Sequence, residues 1–380
     1  MKHIFFLSGD YVGLGEHEVI SLCDIKKYNS VYRLFIADLD CNRKLVKRLA
    51  LTKSIYKVLF ECNIHELIST MKKFDWNSVY KDNFCLRIYN FNDDNTITKK
   101  SINVKNNKKY NQKKFSEKEL AGYVWCSVEF YRNKVSGELK NKKFLSKPKV
   151  SLENPKTMIQ IFIIKDTAYC GLLIHANNED FESRKSHLRP FPHPSSLHPK
   201  VARALINITG IKEDEVMLDP FCGTGGFLIE AGLMGIKSIG YDINKIMING
   251  CIQNLREYKI KKCEIKNQNA LDINDKFDYV VTDLPYGLNS NAMAMYEKNW
   301  KKHRINKKIE TKNFIENLEV FYLKFLKQLR KKLKKNKKSV IVFPSYVNYR
   351  KLLKQSKFRI EKEFENYVHR SLTRKIVKIH

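Results

Sequence analysis

Apolar residues recur along this chain in two rhythms, and the change from one to the other divides it. In the front part, VYRLFIADL (31–39), YKVLFEC (56–62) and FCLRIYNF (84–91) are short runs rich in β-branched and aromatic residues, which predict strands. Segment 92–115 is polar and rich in Asn and Lys, the composition of a loop. Ser116 with Glu119 three residues later is a capping-box pattern, and it predicts a helix with apolar positions through Phe130. MIQIFII (158–164) and TAYCGLLIH (167–175) flank Lys165-Asp166 and predict a hairpin. Residues 176–195 carry three prolines among many polar groups, the pattern of a linker.

Beyond that point strands alternate with helices. A helical stretch (196–208) leads to strand EVMLD (215–219), a glycine loop, helix FLIEAGLMG (227–235) and strand SIGYD (238–242). Helix NKIMINGCIQNLREYK (244–259) and strands EIKNQNA (264–270) and FDYVVTD (277–283) follow. A polar insertion precedes a long helix with Phe314, Leu318, Phe325, Leu329 and Leu333 on one stripe. SVIVFP (339–344), a further helix and two late strands near 359–367 and 374–380 complete the pattern. Such alternation predicts an α/β fold: a doubly wound, mostly parallel sheet with an antiparallel edge hairpin.

Composition narrows the function classes. The chain has 380 residues, too many for one small core, and 43% apolar with 12% aromatic content excludes global disorder. Its apolar runs are too short to span a bilayer, and the N-terminal stretch lacks a small-residue cleavage site, so no membrane association and a cytoplasmic location are expected. Nine scattered cysteines with no C-x-x-C pair suggest neither a disulfide framework nor a zinc site, and no metal is expected. The net charge is +31, from 71 Lys and Arg against 40 Asp and Glu, which favours a polyanionic partner. A Lys-, Asn- and Ile-rich composition makes any surface basic, so the charge alone decides little.

The candidate chemistry lies at strand tips. DPFCGTGG places Asp219, Pro220, Phe221, Cys222, Gly223, Thr224, Gly225 and Gly226 where a strand gives way to a helix, the ligand crevice of an open α/β sheet. The glycines admit close backbone approach, and the helix start offers unpaired N–H groups. No Gly-Lys-Ser/Thr follows, and Leu228 stands where the third glycine of a dinucleotide fingerprint belongs. Asp219 would repel a pyrophosphate and attract a cation. S-adenosylmethionine, with an ammonium, a positive sulfur and no phosphate, meets those demands. Asp242 at the second strand tip can grip ribose hydroxyls, and Asn269-Ala270 after the third can address adenine.

The fourth strand ends in Asp283-Leu284-Pro285-Tyr286-Gly287. A ring-conjugated amine must be pinned by two acceptors before its lone pair can face a methyl. The Asp283 carboxylate and the Leu284 carbonyl can be those acceptors, Pro285 stiffens the turn, and Tyr286 can stack on a flipped-out base. Cys222 is read as a packing residue of the loop rather than a nucleophile. His193 and His198, with no G-x-S-x-G or H-E-x-x-H nearby, are read as loop and helix-start residues. Residues 97–150 hold fifteen Lys and Arg against four Glu, interleaved with Tyr110, Tyr123, Trp125 and Tyr131. Residues 324–338 hold nine bases and no acid. Either run could be a solvated helix face; beside a base-stacking motif they favour RNA or DNA.

RPFPHPSSLHPKVARALINIT, LDPFCGTGGFLIEAGLMG and VVTDLPYG, in this order, resemble the archaeal tRNA (guanine(10)-N2)-dimethyltransferases. The match is most specific over 189–290. Towards the front, FFLSGD and VSLENPKTMIQIFIIKDTAYCGLLI resemble that family's ferredoxin-like segment and THUMP domain. The resemblance implies a ferredoxin-like region at 1–60, an RNA-binding THUMP domain at 61–175, a linker at 176–195 and a class I methyltransferase domain with a seven-stranded sheet at 196–380. It implies S-adenosylmethionine on Asp219 to Gly226, Asp242 and Asn269-Ala270, and a guanine amine on Asp283, Leu284, Pro285 and Tyr286. It also implies tRNA as partner with no obligatory protein subunit. Asn269 replaces the Asp of many relatives, Pro192 an aromatic, and Leu284 a proline. The leading expectation is methyl transfer to N2 of tRNA guanosine 10, with one or two methyls left open. Guanosine 6 of tRNA, a ribosomal guanosine, adenine N6 in DNA, and a non-catalytic tRNA-binding protein are the alternatives.

Overall fold

The computed structural model describes residues 1–38, 43–93, 115–138, 148–194, 196–286, 307–369 and 372–380. The loop expected at 92–115 and the polar insertion after Tyr286, with Gly287, lie largely or wholly outside them. So do Tyr110, the side chain of Tyr131 and much of the basic stretch 97–150.

Packing divides the chain into two units that it visits in turn. The first comprises residues 1–6, 27–40 and 53–176; the second comprises 7–26, 41–52 and 177–380. The elements, in chain order, are β1 (Lys2–Leu7), α1 (Val12–Cys23), β2 (Tyr28–Val31), β3 (Leu34–Asp38), β4 (Thr52–Asn63), α2 (Leu67–Lys73), β5 (Asn83–Asn90), α3 (Glu117–Glu138), β6 (Lys149–Val150), β7 (Thr157–Ile164) and β8 (Thr167–Ala176). There follow α4 (Pro199–Asn207), β9 (Val216–Asp219), α5 (Gly226–Leu233), β10 (Lys237–Asp242), α6 (Lys245–Glu257), β11 (Cys263–Asn267), β12 (Tyr279–Asp283), α7 (Lys307–Lys332), β13 (Ser339–Pro344), α8 (Tyr349–Gln355), β14 (Ile360–His369) and β15 (Leu372–Ile379).

The first unit is built on one eight-stranded sheet in the order β2-β3-β1-β4-β8-β7-β5-β6. The apolar run of β7 is buried almost throughout, as expected for a central strand covered on both faces. It pairs with β8 in the anticipated hairpin, turned by Lys165 at φ 52°. Helix α3 starts where the capping pattern placed it, with Ser116 Oγ accepting the Glu119 N–H at 3.1 Å. Leu120, Val124 and Val128 of α3 pack with Trp76, Phe84 and Ile161. A domain boundary at residue 60 would fall inside β4, a twelve-residue strand continuous from Thr52 to Asn63. The sheet joins both sides of that boundary.

The second unit carries the anticipated doubly wound sheet, in the order β11-β10-β9-β12-β13-β15-β14. The five strands from β11 to β13 are parallel, and β15 runs antiparallel to both β13 and β14. Leu318, Phe321, Tyr322, Phe325 and Leu329 of α7 cover one face, where they meet Val280, Ile341 and Phe343. Helices α4 and α5 pack into the other core with Val281, Val340 and Val342. Residues 177–194 are not an extended linker. Phe181, Arg184 and Arg189 are buried in this unit: Arg184 Nε donates to Glu230 Oε1 of α5 at 2.8 Å, Arg203 Nε to Oε2 at 2.8 Å, and Arg189 Nε to the Arg184 carbonyl at 3.0 Å. The Arg184 and Arg203 guanidiniums also lie over the Phe181 ring. Helix α1 docks here too, with buried Glu18 accepting the N–H groups of Ala50 and Leu51 and the amide of Asn207 at 2.7–2.8 Å. Among the described residues no helix is long and apolar enough to cross a membrane.

Candidate functional site

The tips of β9, β10 and β12 converge on the first crossover of the second sheet, where an open α/β sheet leaves a crevice. Asp219 ends β9 and is buried, its Oδ1 accepting the Thr282 hydroxyl at 2.7 Å and the Phe221 N–H at 3.2 Å. Its Oδ2 makes no hydrogen bond among the described residues. Burial pushes the carboxyl up to about 7, against the two hydrogen bonds and with help from the nearby carboxylates of Asp242 and Asp283. A group in that position gains by meeting a cation.

The glycine loop is shaped by backbone angles that favour glycine and, at Gly225, by a close contact. Gly223 and Gly225 have φ of 50° and 88°, and a Cβ on Gly225 would stand 2.8 Å from Cys251 Sγ. The Gly223 N–H donates to Asp242 Oδ2 at 3.0 Å, and the Asn244 N–H to Oδ1 at 2.8 Å, so Asp242 is fixed with one lone pair per oxygen still available. Burial raises its pKa as well. Cys222 is buried beside Gly240, where a packing residue is needed, while Phe221 turns into the α7 core against Phe325. Thr224 is anchored through its carbonyl by Asn254 of α6, which is itself fully buried. Asn254 also bonds both the N–H and the carbonyl of Phe191, so RPFPHP is clamped against the loop. Pro220 lies between these anchors in the turn that leaves β9.

Strand β11 stops at Asn267, two residues short of Asn269. The Asn269 side-chain oxygen Oδ1 accepts the Leu271 N–H at 2.9 Å, which orients the amide, and Ala270 is buried in the core.

At the end of β12 the structure adds a residue the sequence did not flag. Arg374 of β15, 7% exposed, directs Nε to the Tyr286 hydroxyl at 2.7 Å and lies 3.5 Å from Asp283 Oδ2. The Tyr286 hydroxyl in turn donates to Asp283 Oδ1. Tyr286 therefore closes on the carboxylate rather than standing ready as an open platform, its phenol satisfying the oxygen that Arg374 does not face. Burial pushes Asp283 up to about 6, with Arg374 and Tyr286 opposing that shift. The Tyr322 hydroxyl donates to the Pro285 carbonyl at 2.7 Å and the Tyr346 hydroxyl to the Tyr286 carbonyl at 2.6 Å. The Leu284 carbonyl accepts no hydrogen bond among the described residues. The turn thus presents one carboxylate and one carbonyl side by side, on a rigid backing. His198 begins α4, its Nδ1 accepting the Lys200 N–H at 3.2 Å.

Comparison with known proteins agrees with this geometry. Residues 186–302 match the family described as RMKL-like, methyltransferase domain. The tRNA (guanine(10)-N2)-dimethyltransferase of Methanothermobacter thermautotrophicus is 29% identical over 350 residues, 91% of this chain and 88% of that protein. The enzyme of the same name from Methanocaldococcus jannaschii is 30% identical over 328 residues, 77% of this chain and 85% of the relative. The chain belongs to the tRNA (guanine(10)-N2)-dimethyltransferase family. The crystal structure of TrmN from Thermus thermophilus superposes with a TM-score of 0.50 at 13% identity, covering 100% of this chain and 99% of that one, a likeness of fold. The second unit is accordingly the class I methyltransferase fold of this family, and its β12 motif carries Leu284 between Asp283 and Pro285.

Proposed function

We propose that this chain transfers methyl groups from S-adenosylmethionine to the exocyclic N2 of guanosine 10 in tRNA. The observation that carries the proposal is the pairing of a half-buried carboxylate, Asp283, with the unclaimed Leu284 carbonyl, one strand away from the cation-seeking Asp219. S-adenosylmethionine supplies a methyl on a positively charged sulfur. Asp219 Oδ2 would hold its ammonium, Asp242 its ribose hydroxyls and the Asn269 region its adenine; the spare acceptors of both carboxylates fit that role. Gly223, Thr224, Gly225 and Gly226 would line its path beside the start of α5. The first unit would serve as the RNA-holding THUMP region.

Guanine N2 is a poor nucleophile because its lone pair is shared with the ring. Asp283 Oδ1 and the Leu284 carbonyl would accept its two N–H bonds and turn the lone pair toward the methyl. To admit the amine, the Tyr286 hydroxyl must yield Oδ1, after which its ring can lie on the base. Arg374 keeps the other oxygen in place, and Asp283 can take the amine proton as transfer completes. After a first methylation one N–H remains, so a second transfer needs the amine to turn about its C–N bond.

Two substitutions separate the phenol from the ring. Tyr286→Phe should stay within about threefold of wild type, whereas Tyr286→Ala should lower kcat/KM for tRNA by roughly 10- to 100-fold, the worth of one stacked base. Equal losses in the two variants would refute base stacking. The protonation of Asp283 gives a second check. A protonated carboxyl has lost acceptor capacity, so single-turnover rate should rise with pH through about 6 and level off above it. In Asp283→Asn the inflection should vanish and leave a low, flat profile. The identity of the target is tested by labelled methyl transfer to unmodified tRNA transcripts, followed by nucleoside digestion. Label should appear as N2-methylguanosines and should be lost when guanosine 10, but not guanosine 6, is replaced.

A further inference from the structure

At the end of the sheet opposite to Asp283, a cavity of about 670 Å³ lies between α7, α8 and the start of β14. Arg330, Arg350, Lys354, Lys357, Arg359 and His380 line it. We infer that this cavity is a phosphate site for the RNA backbone, a second anchor that holds the substrate at a distance from the reacting guanosine; the inference rests on the RNA substrate proposed above.

Three observations support it. First, like charges are brought together where folding gains nothing from them. Arg350 and Lys354 stand four residues apart on α8, a spacing at which equal charges repel, and Lys357 and Arg359 add to them within five residues. Among the described residues Lys354, Lys357 and Arg359 make no ion pair, and all three are exposed. Second, the acids on β14 are engaged elsewhere or with one cation only. Glu361 Oε2 lies 2.9 Å from Lys338 Nζ and its Oε1 2.9 Å from Lys378 Nζ, while Glu363 holds Arg350 through Nε at 3.0 Å and NH2 at 2.8 Å. Third, two of the cations are oriented rather than loose: Arg350 by Glu363, and Arg330 by lying over the Phe358 ring at 5.2 Å. Lys327, exposed one turn before Arg330 on α7, extends the positive face. Of the apolar lining residues Leu353 and Phe358 are buried and Ile360 is exposed, beside the exposed cations Arg330, Arg350, Lys354, Lys357 and Arg359.

The site is well separated from the chemistry. Arg374 and His380 are six residues apart along β15 and its end, about 20 Å in an extended strand. A phosphate bound there belongs to a nucleotide several removed from the target, which suits a backbone contact that fixes register and is indifferent to sequence.

The test replaces Lys354, Lys357 and Arg359 with Gln in the full chain, and replaces Lys237, Lys261 and Lys262, exposed beside the far edge of the sheet, in a control of equal charge. Affinity for an unmodified tRNA transcript is measured against salt. The cavity variant should bind at least tenfold more weakly near 0.15 M salt, and its slope of log affinity against log salt should fall by about 2 to 3. The control should lose much less. Thermal midpoint, S-adenosylmethionine binding and single-turnover rate at saturating tRNA should be unchanged. An unaltered slope in the cavity variant, or an equal loss in the control, overturns the inference. If the wild-type chain binds no tRNA but binds another RNA, the proposed target fails, and the same slope comparison with that RNA still decides the cavity.

Discussion

Replacing Asp283 with Ala should cut single-turnover methyl transfer by roughly 10²-fold or more while leaving affinity for tRNA and S-adenosylmethionine within a few-fold of wild type. The reason is the division of labour at the strand tips. Asp283 touches neither the glycine loop nor Asp242, so the cofactor crevice survives its loss. What disappears is one of the two acceptors that turn the amine, an interaction worth most when the nitrogen acquires positive charge. Alanine also strips buried Arg374 of its anion, which lowers stability. Asp283→Asn controls for this, because it keeps the shape and one acceptor oxygen beside Arg374. Both variants should be slow at every tRNA concentration, with KM little changed. Wild-type turnover in either would remove Asp283 from the chemistry.

The largest effect on stability is expected at Glu230. Its carboxylate is fully buried and is shared by two guanidiniums, Arg184 at 8% exposure and Arg203 at 2%. Glu179 alone also reaches them, at 3.1 and 3.3 Å. Glu230→Ala leaves two cations in a desolvated site with half their counter-charge, at a cost of about 3–5 kcal/mol, the range for breaking a buried pair. For a unit of this size the thermal midpoint should fall by about 10 °C. Because Glu230 sits one turn into the helix that begins at the glycine loop, S-adenosylmethionine affinity should fall with it. Adding Arg203→Met and Arg184→Met to Glu230→Ala should recover part of the loss. Failure of the apolar triple variant to recover any midpoint would show that packing, not charge, dominates there.

The parts of the site that were legible share a property: each is written in consecutive residues. The glycine loop follows directly on the strand that presents it, and Asp283 to Tyr286 form a single turn, so pattern and chemistry could be read together. Arg374 was invisible because it reaches Asp283 only through β15, a strand that returns antiparallel beside β13 after the rest of the sheet is laid down. Tyr322 and Tyr346 carry no sequence signal of a role here, and only the fold shows their hydroxyls holding the turn. The segment 176–195 has the proline and polar content of a linker, and composition does not reveal whether a loop is packed. Arg184 is buried there because Glu230, 46 residues later, pairs with it. The division near residue 60 failed for a similar reason: sheet pairing joins β4 to β8, more than a hundred residues apart at their midpoints.

Helix α1 has a consequence for how the molecule is made. Its partners come much later in the chain: Glu18 accepts from Asn207, and the Tyr11 hydroxyl from Asn366, 355 positions on. Until those are made, Leu14 has Ala50 and Leu51 for company, and most of the core it joins is absent. The methyltransferase unit is thus completed by segments that precede most of the front sheet, and no gene fragment starting after that sheet can encode it whole.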